Sequence, residues 1–440
     1  MALALLPLLS FILSTPLLLL FYPIVHGSNL KCASPDNGST LRVMHVYSQC
    51  SPFRSAKPVS SWEDMVLDMA ANDDARLQYL TNLVAGKSVL PIASGRQITQ
   101  SATYVVRVNV GTPSQTMLMA MDTSSDAAWI PCTGCVGCGR NRFTSAKSTT
   151  FKTLGCKTPQ CKQVWNPSCT NSTCTFNQTY GSSTFSANLT HDTIKLAMDA
   201  IPNYVFGCIR NVAGGNTVLP QQGLLGLGRG PMSLLSQTQN LYKSTFSYCL
   251  PNFKSQNFSG SLRLGPYGQP QKIKYTPLLK NPKRSSLYYV KMIGIRVGRK
   301  TIDIPPSDPN TGAGTIFDSG TVFTRLVTSV YNAVRNEFRR RVEGAGGGTV
   351  TSLGGFDTCY NGKIVAPPIS LHFAGMNVSL PMENVLIQST YGSLSCLAMA
   401  AAPDNVNSVV NVIANMQQQN FRILFDVPNS RVGVAREQCT

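Results

Sequence analysis

Downstream of about residue 100 the chain runs in short stretches of alternating apolar and polar residues, broken by Gly, Pro and Asn. TYVVRVNVGTP from Thr103, TMLMAMDTSS from Thr116, TIKLAM from Thr193, YVFGC from Tyr204 and GSLRLG from Gly260 show it most clearly. A period of two residues puts successive side chains on opposite faces, so these segments predict strands in an all-β region with many turns. Upstream the period changes. Trp62, Met65, Val66 and Met69, then Leu77, Leu80 and Val84, recur at helical spacing, with Glu63, Asp64 and Asp68 on the polar side. The boundary falls in the polar, breaker-rich stretch 86–101 (GKSVLPIASGRQITQS). A second amphipathic helix is predicted around Tyr331, Val334 and Phe338, with Arg339, Arg340 and Arg341 at its exposed end.

The β-region contains an internal echo. Tyr104-Val-Val-Arg-Val precedes Asp122-Thr123-Ser124-Ser125, and Tyr288-Tyr-Val-Lys-Met-Ile-Gly-Ile precedes Asp318-Ser319-Gly320-Thr321. Each Asp ends an apolar segment and is answered later by another, Gly223-Leu-Leu-Gly-Leu-Gly and Val412-Ile413-Ala414-Asn415. Two similar halves with one Asp each imply two lobes facing one another. Their chemistry is specific. Two carboxylates about 3 Å apart cannot both ionise, so one keeps a proton while the other can take one from water. Such a pair hydrolyses a peptide without metal, Ser or Cys, and the neighbouring hydroxyls can hold the carboxylates in place.

Together these residues resemble a pepsin-like aspartic protease of the atypical, nepenthesin-like plant group. The resemblance rests on Asp122-Thr-Ser-Ser-Asp-Ala-Ala-Trp129, Cys132-x-x-Cys135-x-x-Cys138, Gln178-Thr-Tyr180-Gly, Phe206-Gly-Cys208, Gly223-Leu-Leu-Gly-Leu-Gly-Arg-Gly230, Phe246-Ser-Tyr-Cys249, Phe317-Asp-Ser-Gly-Thr321 and Met416-Gln-Gln-Gln-Asn-Phe421. It covers 96–440 and implies a bilobal all-β fold with its active-site cleft between the lobes, preceded by a helical pro-segment. The expected division is 1–27 signal peptide, 28–95 pro-segment, 96–265 first lobe and 266–440 second lobe. Asp122 and Asp318 would be catalytic, Tyr180 would close over substrate from a flap, and Thr123, Ser124, Ser125, Ser319, Gly320 and Thr321 would support the dyad. The resemblance also implies disulfides Cys132–Cys135, Cys138–Cys208, Cys156–Cys174 nested around Cys161–Cys169, Cys249–Cys439 and Cys359–Cys396. Two positions depart from the family pattern: Ser124 stands where the usual D-T-G has Gly, and Ala414 fills the Gly position of the second lobe.

Composition adds compartment and charge. Of 440 residues 43% are hydrophobic and 13% charged, which excludes a disordered chain. The first 25 residues are almost wholly apolar, as in a secretory signal cut after Gly27; lacking a basic start, they could alternatively remain as an anchor. No other segment could cross a membrane. Fourteen cysteines and the sequons at Asn37, Asn171, Asn177, Asn188, Asn257 and Asn377 agree with a secreted, apoplastic glycoprotein. Cys132, Cys135 and Cys138 could begin a zinc site, but only His191 and His372 lie in the mature region, so no metal or other cofactor is expected. Gly226-Leu-Gly228-Arg-Gly230 lacks a surrounding βαβ unit and reads as the loop under Asp122, not a dinucleotide loop.

The net charge is +18, with no acidic residue between Asp199 and Asp303 and nine bases from Lys272 to Lys300. That excess motivates a second reading, a catalytically weak homologue that binds cell-wall polysaccharide or another polyanion. A plastid protease held on nucleic acid is a third, against which the long apolar N-terminus argues. The leading expectation is a monomeric, secreted aspartic endopeptidase acting on polypeptides at acidic pH, in plant defence or cell death.

Overall fold

The computed structural model describes residues 38–48, 50–51, 61–85, 104–180, 183–213, 222–252, 260–306, 313–389, 392–403 and 410–439. The signal at 1–27, the boundary at 86–101 and the sequons Asn37 and Asn257 lie outside them. Of the remaining sequons, Asn171, Asn177 and Asn377 are exposed and Asn188 is half-buried. No helix among the described residues is long and apolar enough to cross a membrane.

The alternating segments form the expected strands. β2 (Tyr104–Val110) and β3 (Gln115–Asp122) make a hairpin in register from Val105 opposite Ala120 to Val110 opposite Gln115. Its inward positions, Tyr104, Val106 and Val108 with Met117, Met119 and Met121, are buried in the main core. Beyond it, β4 (Trp129–Val136) lies parallel to the long strand Asp199–Ala213.

The internal echo is a real structural repeat. The short strand Leu224–Gly226 runs parallel to β3, with Gly226 opposite Asp122. In the other half Val410–Ile413 runs parallel to Gly314–Phe317, with Ile413 opposite Phe317. Each aspartate therefore leaves the end of a strand whose neighbour runs the same way. One continuous sheet joins the halves: Thr245–Cys249 pairs with both Gly260–Leu264 and Phe421–Asp426, and the latter with Arg431–Arg436.

The segment before the β-region is more than a helix. β1 (Thr40–His45) joins the same sheet between β2 and Gly260–Leu264, pairing Val43 with Val106 and Thr40 with Arg263. Its single period of alternation was too short to signal a strand. The helix α1 (Trp62–Ala85) follows the predicted spacing from Trp62 to Leu77, while the side chains of Leu80 and Val84 lie outside the described residues; Ser61 Oγ accepts the Asp64 N–H at 3.0 Å, and Glu63 and Asp64 complement its positive end. Val66, Met69 and Ala70 pack on Val322, Phe323, Phe356 and Met416, while Leu77 packs on Leu287, Ile316 and Val412. Burying each such side chain stabilises docking by roughly 1.5–3 kcal/mol. The helix Thr328–Glu343 also forms, but its arginines are engaged: Arg340 and Arg341 pair with the buried Glu337 at 2.6 and 2.7 Å, and Arg339 donates to the Thr358 hydroxyl at 3.0 Å.

Disulfide pairing differs from the implied scheme in the first lobe. Cys132 joins Cys208, and Cys135 joins Cys138. The parallel register of β4, Ile130 opposite Cys208, brings Cys132 over the neighbouring strand, while Cys135 and Cys138 close a turn containing Gly137 at φ +77°. Cys156 joins Cys169 and Cys161 joins Cys174, so the loops interleave and are not nested. Cys169 and Cys174 face one another across a hairpin, which presents both to the preceding segment side by side. Cys249–Cys439 and Cys359–Cys396 form as implied.

Candidate active site

Asp122 and Asp318 are fully buried and meet at the junction of the two halves. Two hydroxyls interlock their loops. Thr123 Oγ1 accepts the Ser319 N–H at 3.0 Å, and Ser319 Oγ accepts the Thr123 N–H at 3.2 Å. These reciprocal bonds make each loop complete the other, so neither aspartate can shift alone.

Each carboxylate is then held by its own turn. Asp122 Oδ1 accepts from the Ser124 N–H at 2.8 Å and the Ser124 hydroxyl at 2.9 Å, and Oδ2 accepts from Ser125 Oγ at 2.8 Å. Asp318 Oδ1 accepts from the Gly320 N–H at 3.2 Å, while Oδ2 accepts from the Thr321 N–H at 2.9 Å and from its hydroxyl. Below them, the Leu227 N–H donates to the Asp122 carbonyl at 2.8 Å, and Gln418 Nε2 to that of Asp318 at 3.1 Å. The glycines of Gly226-Leu-Gly228-Arg-Gly230 are required by packing: a Cβ on Gly226 would lie 2.0 Å from the Asp126 carbonyl oxygen, and one on Gly230 2.1 Å from Asp126 Oδ2. Ala414 is fully buried, its N–H donating to Thr324 Oγ1 at 3.1 Å.

The residue that sequence reasoning missed is Arg76, on α1. Its Nη2 lies 2.6 Å from Asp122 Oδ1 and 2.9 Å from Asp318 Oδ1. Its Nε donates to Asp318 Oδ2 at 2.9 Å, and Nη1 donates to Asp122 Oδ2 at 3.0 Å and to the Tyr180 hydroxyl at 2.9 Å. Nη2 also donates to Ser124 Oγ at 2.6 Å, so the Ser that replaces the family's Gly relays the contact to Asp122. Gly320 makes room, since a Cβ there would sit 2.2 Å from Nη2. Tyr180 ends the hairpin strand Thr173–Tyr180, its ring centroid 5.6 Å from both the Arg76 Cζ and the Trp129 ring. The only sequence signal for Arg76 was a lone base beside Asp73 and Asp74 in a mainly acidic helix.

Electrostatics follow from this arrangement. Burial alone would push the Asp122 carboxyl up, but the charge of Arg76 and the surrounding donors outweigh it and hold it below the usual carboxylate range. Burial likewise opposes the charge on Arg76, and the two aspartates more than restore it. Three residues earlier, on the same face of α1, Asp73 accepts the N–H groups of Val322 and Phe323, each at 2.6 Å. Burial nevertheless pushes its carboxyl up to about 7, against the opposing effects of Arg325 and those two bonds.

Comparison with known proteins agrees with this architecture. Two family models, described as Xylanase inhibitor N-terminal and Xylanase inhibitor C-terminal, match residues 104–266 and 287–436. The chain is 50% identical over 92% of its length to Aspartyl protease AED3 of Arabidopsis thaliana, covering 93% of that protein. It is 48% identical over 90% of its length to Aspartyl protease 25 of Oryza sativa subsp. japonica, covering 94% of it. Aspartic proteinase nepenthesin-1 of Nepenthes gracilis is 34% identical over 76% of this chain and 78% of its own. Among solved structures, conglutin gamma, a basic 7S globulin from lupine seeds, has the same fold, with a TM-score of 0.60 at 21% identity, covering 75% of this chain and 90% of that one. Two lobes in this order, carrying paired Asp turns and joined by identity across nearly the whole chain, place it in the atypical plant group of pepsin-like aspartic proteases.

Proposed function

We propose that this aspartic endopeptidase hydrolyses polypeptides at acidic pH through Asp122 and Asp318, and is made as a secreted zymogen acting in the cell-wall space, in plant defence or cell death. The observation that carries the reading is the position of Arg76 Nη2, within 2.9 Å of an oxygen of each carboxylate. Once α1 leaves, a water fits that place, hydrogen-bonded to both. The ionised carboxylate takes a proton from the water as its oxygen attacks the scissile carbonyl carbon, and the protonated partner donates to the carbonyl oxygen. The neutral tetrahedral intermediate then breaks as a proton passes to the leaving nitrogen. Substrate would lie extended in the groove that α1 vacates, beneath Tyr180. Because one carboxyl must stay protonated, activity falls as the pH approaches neutrality. In this reading 1–27 is the signal, 28–95 the pro-segment, and 96–265 and 266–440 the lobes.

The test is cleavage of a denatured protein across about pH 3 to 7 by processed wild type and Asp318→Ala, each with and without pepstatin. Acid-peaked cleavage lost in the variant supports the reading. Inactivity of processed, disulfide-intact wild type would leave a polyanion-binding homologue in its place.

A further inference from the structure

The basic run from Lys272 to Lys300 has no part in the dyad, yet its segment 280–285 lines a cavity. This cavity, of about 420 Å³, opens where the segment 280–285 crosses the loop after Leu224–Gly226 and the turn following Tyr242. Its polar lining consists of Arg229, Lys280, Asn281, Ser236, Ser244 and Ser285, and no carboxylate lines it. Arg229 is half-buried and fixed, its Nη1 donating to the carbonyls of Leu279 at 3.1 Å and Leu287 at 3.4 Å. Neither Arg229 nor Lys280 forms an ion pair among the described residues; Arg229 instead lies 6.0 Å from the centroid of the Tyr288 ring. Asn281 is 2% exposed. Its Oδ1 accepts the N–H groups of Lys283 at 2.9 Å and Arg284 at 3.2 Å, which shapes the segment, and its Nδ2 is a buried donor with no partner.

Two cations, three hydroxyls and an unsatisfied amide donor line the cavity without a carboxylate among them; the nearby Asp126 is turned onto the Gly230 N–H at 2.8 Å and lies outside the lining, so the cavity is complementary to negative charge flanked by hydroxyl groups. We propose that this cavity binds an oxyanion carried on a polyhydroxylated ligand, and that it anchors the protein to such ligands independently of the dyad. A uronate of an acidic polysaccharide and a phosphorylated polyol share this chemistry. Lys283 beside the pocket is exposed, so a ligand longer than the cavity can continue along the basic segment.

The experiment titrates the full chain with an oligogalacturonide, with inositol hexakisphosphate and with a neutral oligoglucan. Lys280→Gln removes one exposed charge. Asn281→Asp keeps the acceptor for Lys283 and Arg284 but replaces the donor with a negative group. Lys300→Gln, in the same basic run but outside the cavity, is the control. Lys280→Gln should bind the anions about tenfold more weakly and Asn281→Asp more weakly still, with the control unchanged and the neutral sugar not bound. Binding of only one of the two anions, still lost in the cavity variants, supports the site and names its source. Equal weakening in all three variants, wild-type binding by the cavity variants, or no binding of either anion would overturn it.

Discussion

Arg76 and Asp318, 242 residues apart in the chain, form a two-pronged pair in which Nε and Nη2 each lie 2.9 Å from a different carboxylate oxygen. Such parallel bonds are both stronger and more directional than a single contact, and burial removes the competing water. With its grip on Asp122, one guanidinium places its single positive charge between both carboxylates. Truncating Arg76 to Ala should therefore weaken docking of α1 by roughly 3–5 kcal/mol. The measurement is the rate of processing of the purified full chain, which should rise, with cleavage starting at a less acidic pH than in wild type. Unchanged processing would mean that the apolar face of α1 alone controls access.

Ser124 separates catalytic from inhibitory contacts. Ser124→Gly keeps the N–H that bonds Asp122 and removes the hydroxyl that receives Arg76, a loss of about 1 kcal/mol. Activity of the processed form should persist while the full chain activates more readily. Loss of activity in the processed variant would instead assign the hydroxyl to the dyad itself.

The pH dependence of α1 and β1 docking has three signed contributions. Arg76 is the largest of the influences that lower Asp122, so its contribution to docking exists above the usual carboxylate range and is lost as the pH falls below it. His45, on β1, is pushed by burial from 6.5 to about 3; its contribution is present above 6.5 and is lost progressively below that. Asp73 opposes both, because a carboxyl raised to about 7 favours docking at low pH and loses that contribution as the pH rises from 3.8 through 7. His45→Phe should thus move the midpoint of release to lower pH, and Asp73→Asn, neutral at every pH like the protonated acid, should remove the loss of docking between pH 3.8 and 7. Release followed by tryptophan fluorescence or limited proteolysis of an Asp318→Ala chain, which cannot process itself, reads both effects.

Non-reducing peptide mapping should recover Cys156 linked to Cys169 and Cys161 linked to Cys174. Removing the Cys132–Cys208 link, which closes a loop of 76 residues, should lower stability by about 2–5 kcal/mol, measured by urea unfolding. Nested pairs in the map would overturn the interleaved connectivity.

Much of the protein was legible along the chain. Alternation marked β2 and β3 because a strand half-buried in a core has to alternate, and the spacing from Trp62 to Met69 marked α1 because one helical face has to be apolar. The two Asp turns, their hydroxyl neighbours and the repeated context were visible because each is local. What tertiary structure alone decided depends on register and docking between distant segments. β1 is a strand because two open edges receive it, not because TLRVMH alternates well. The disulfides follow from which strands lie side by side, a choice that cysteine spacing leaves open. Arg76 looked like any basic residue until helix packing brought its guanidinium, fixed by Val66, Met69 and Leu77 on the same helix, between two carboxylates from opposite halves of the molecule. Local patterning encodes which side chains are buried; only the assembled fold sets which charges meet there.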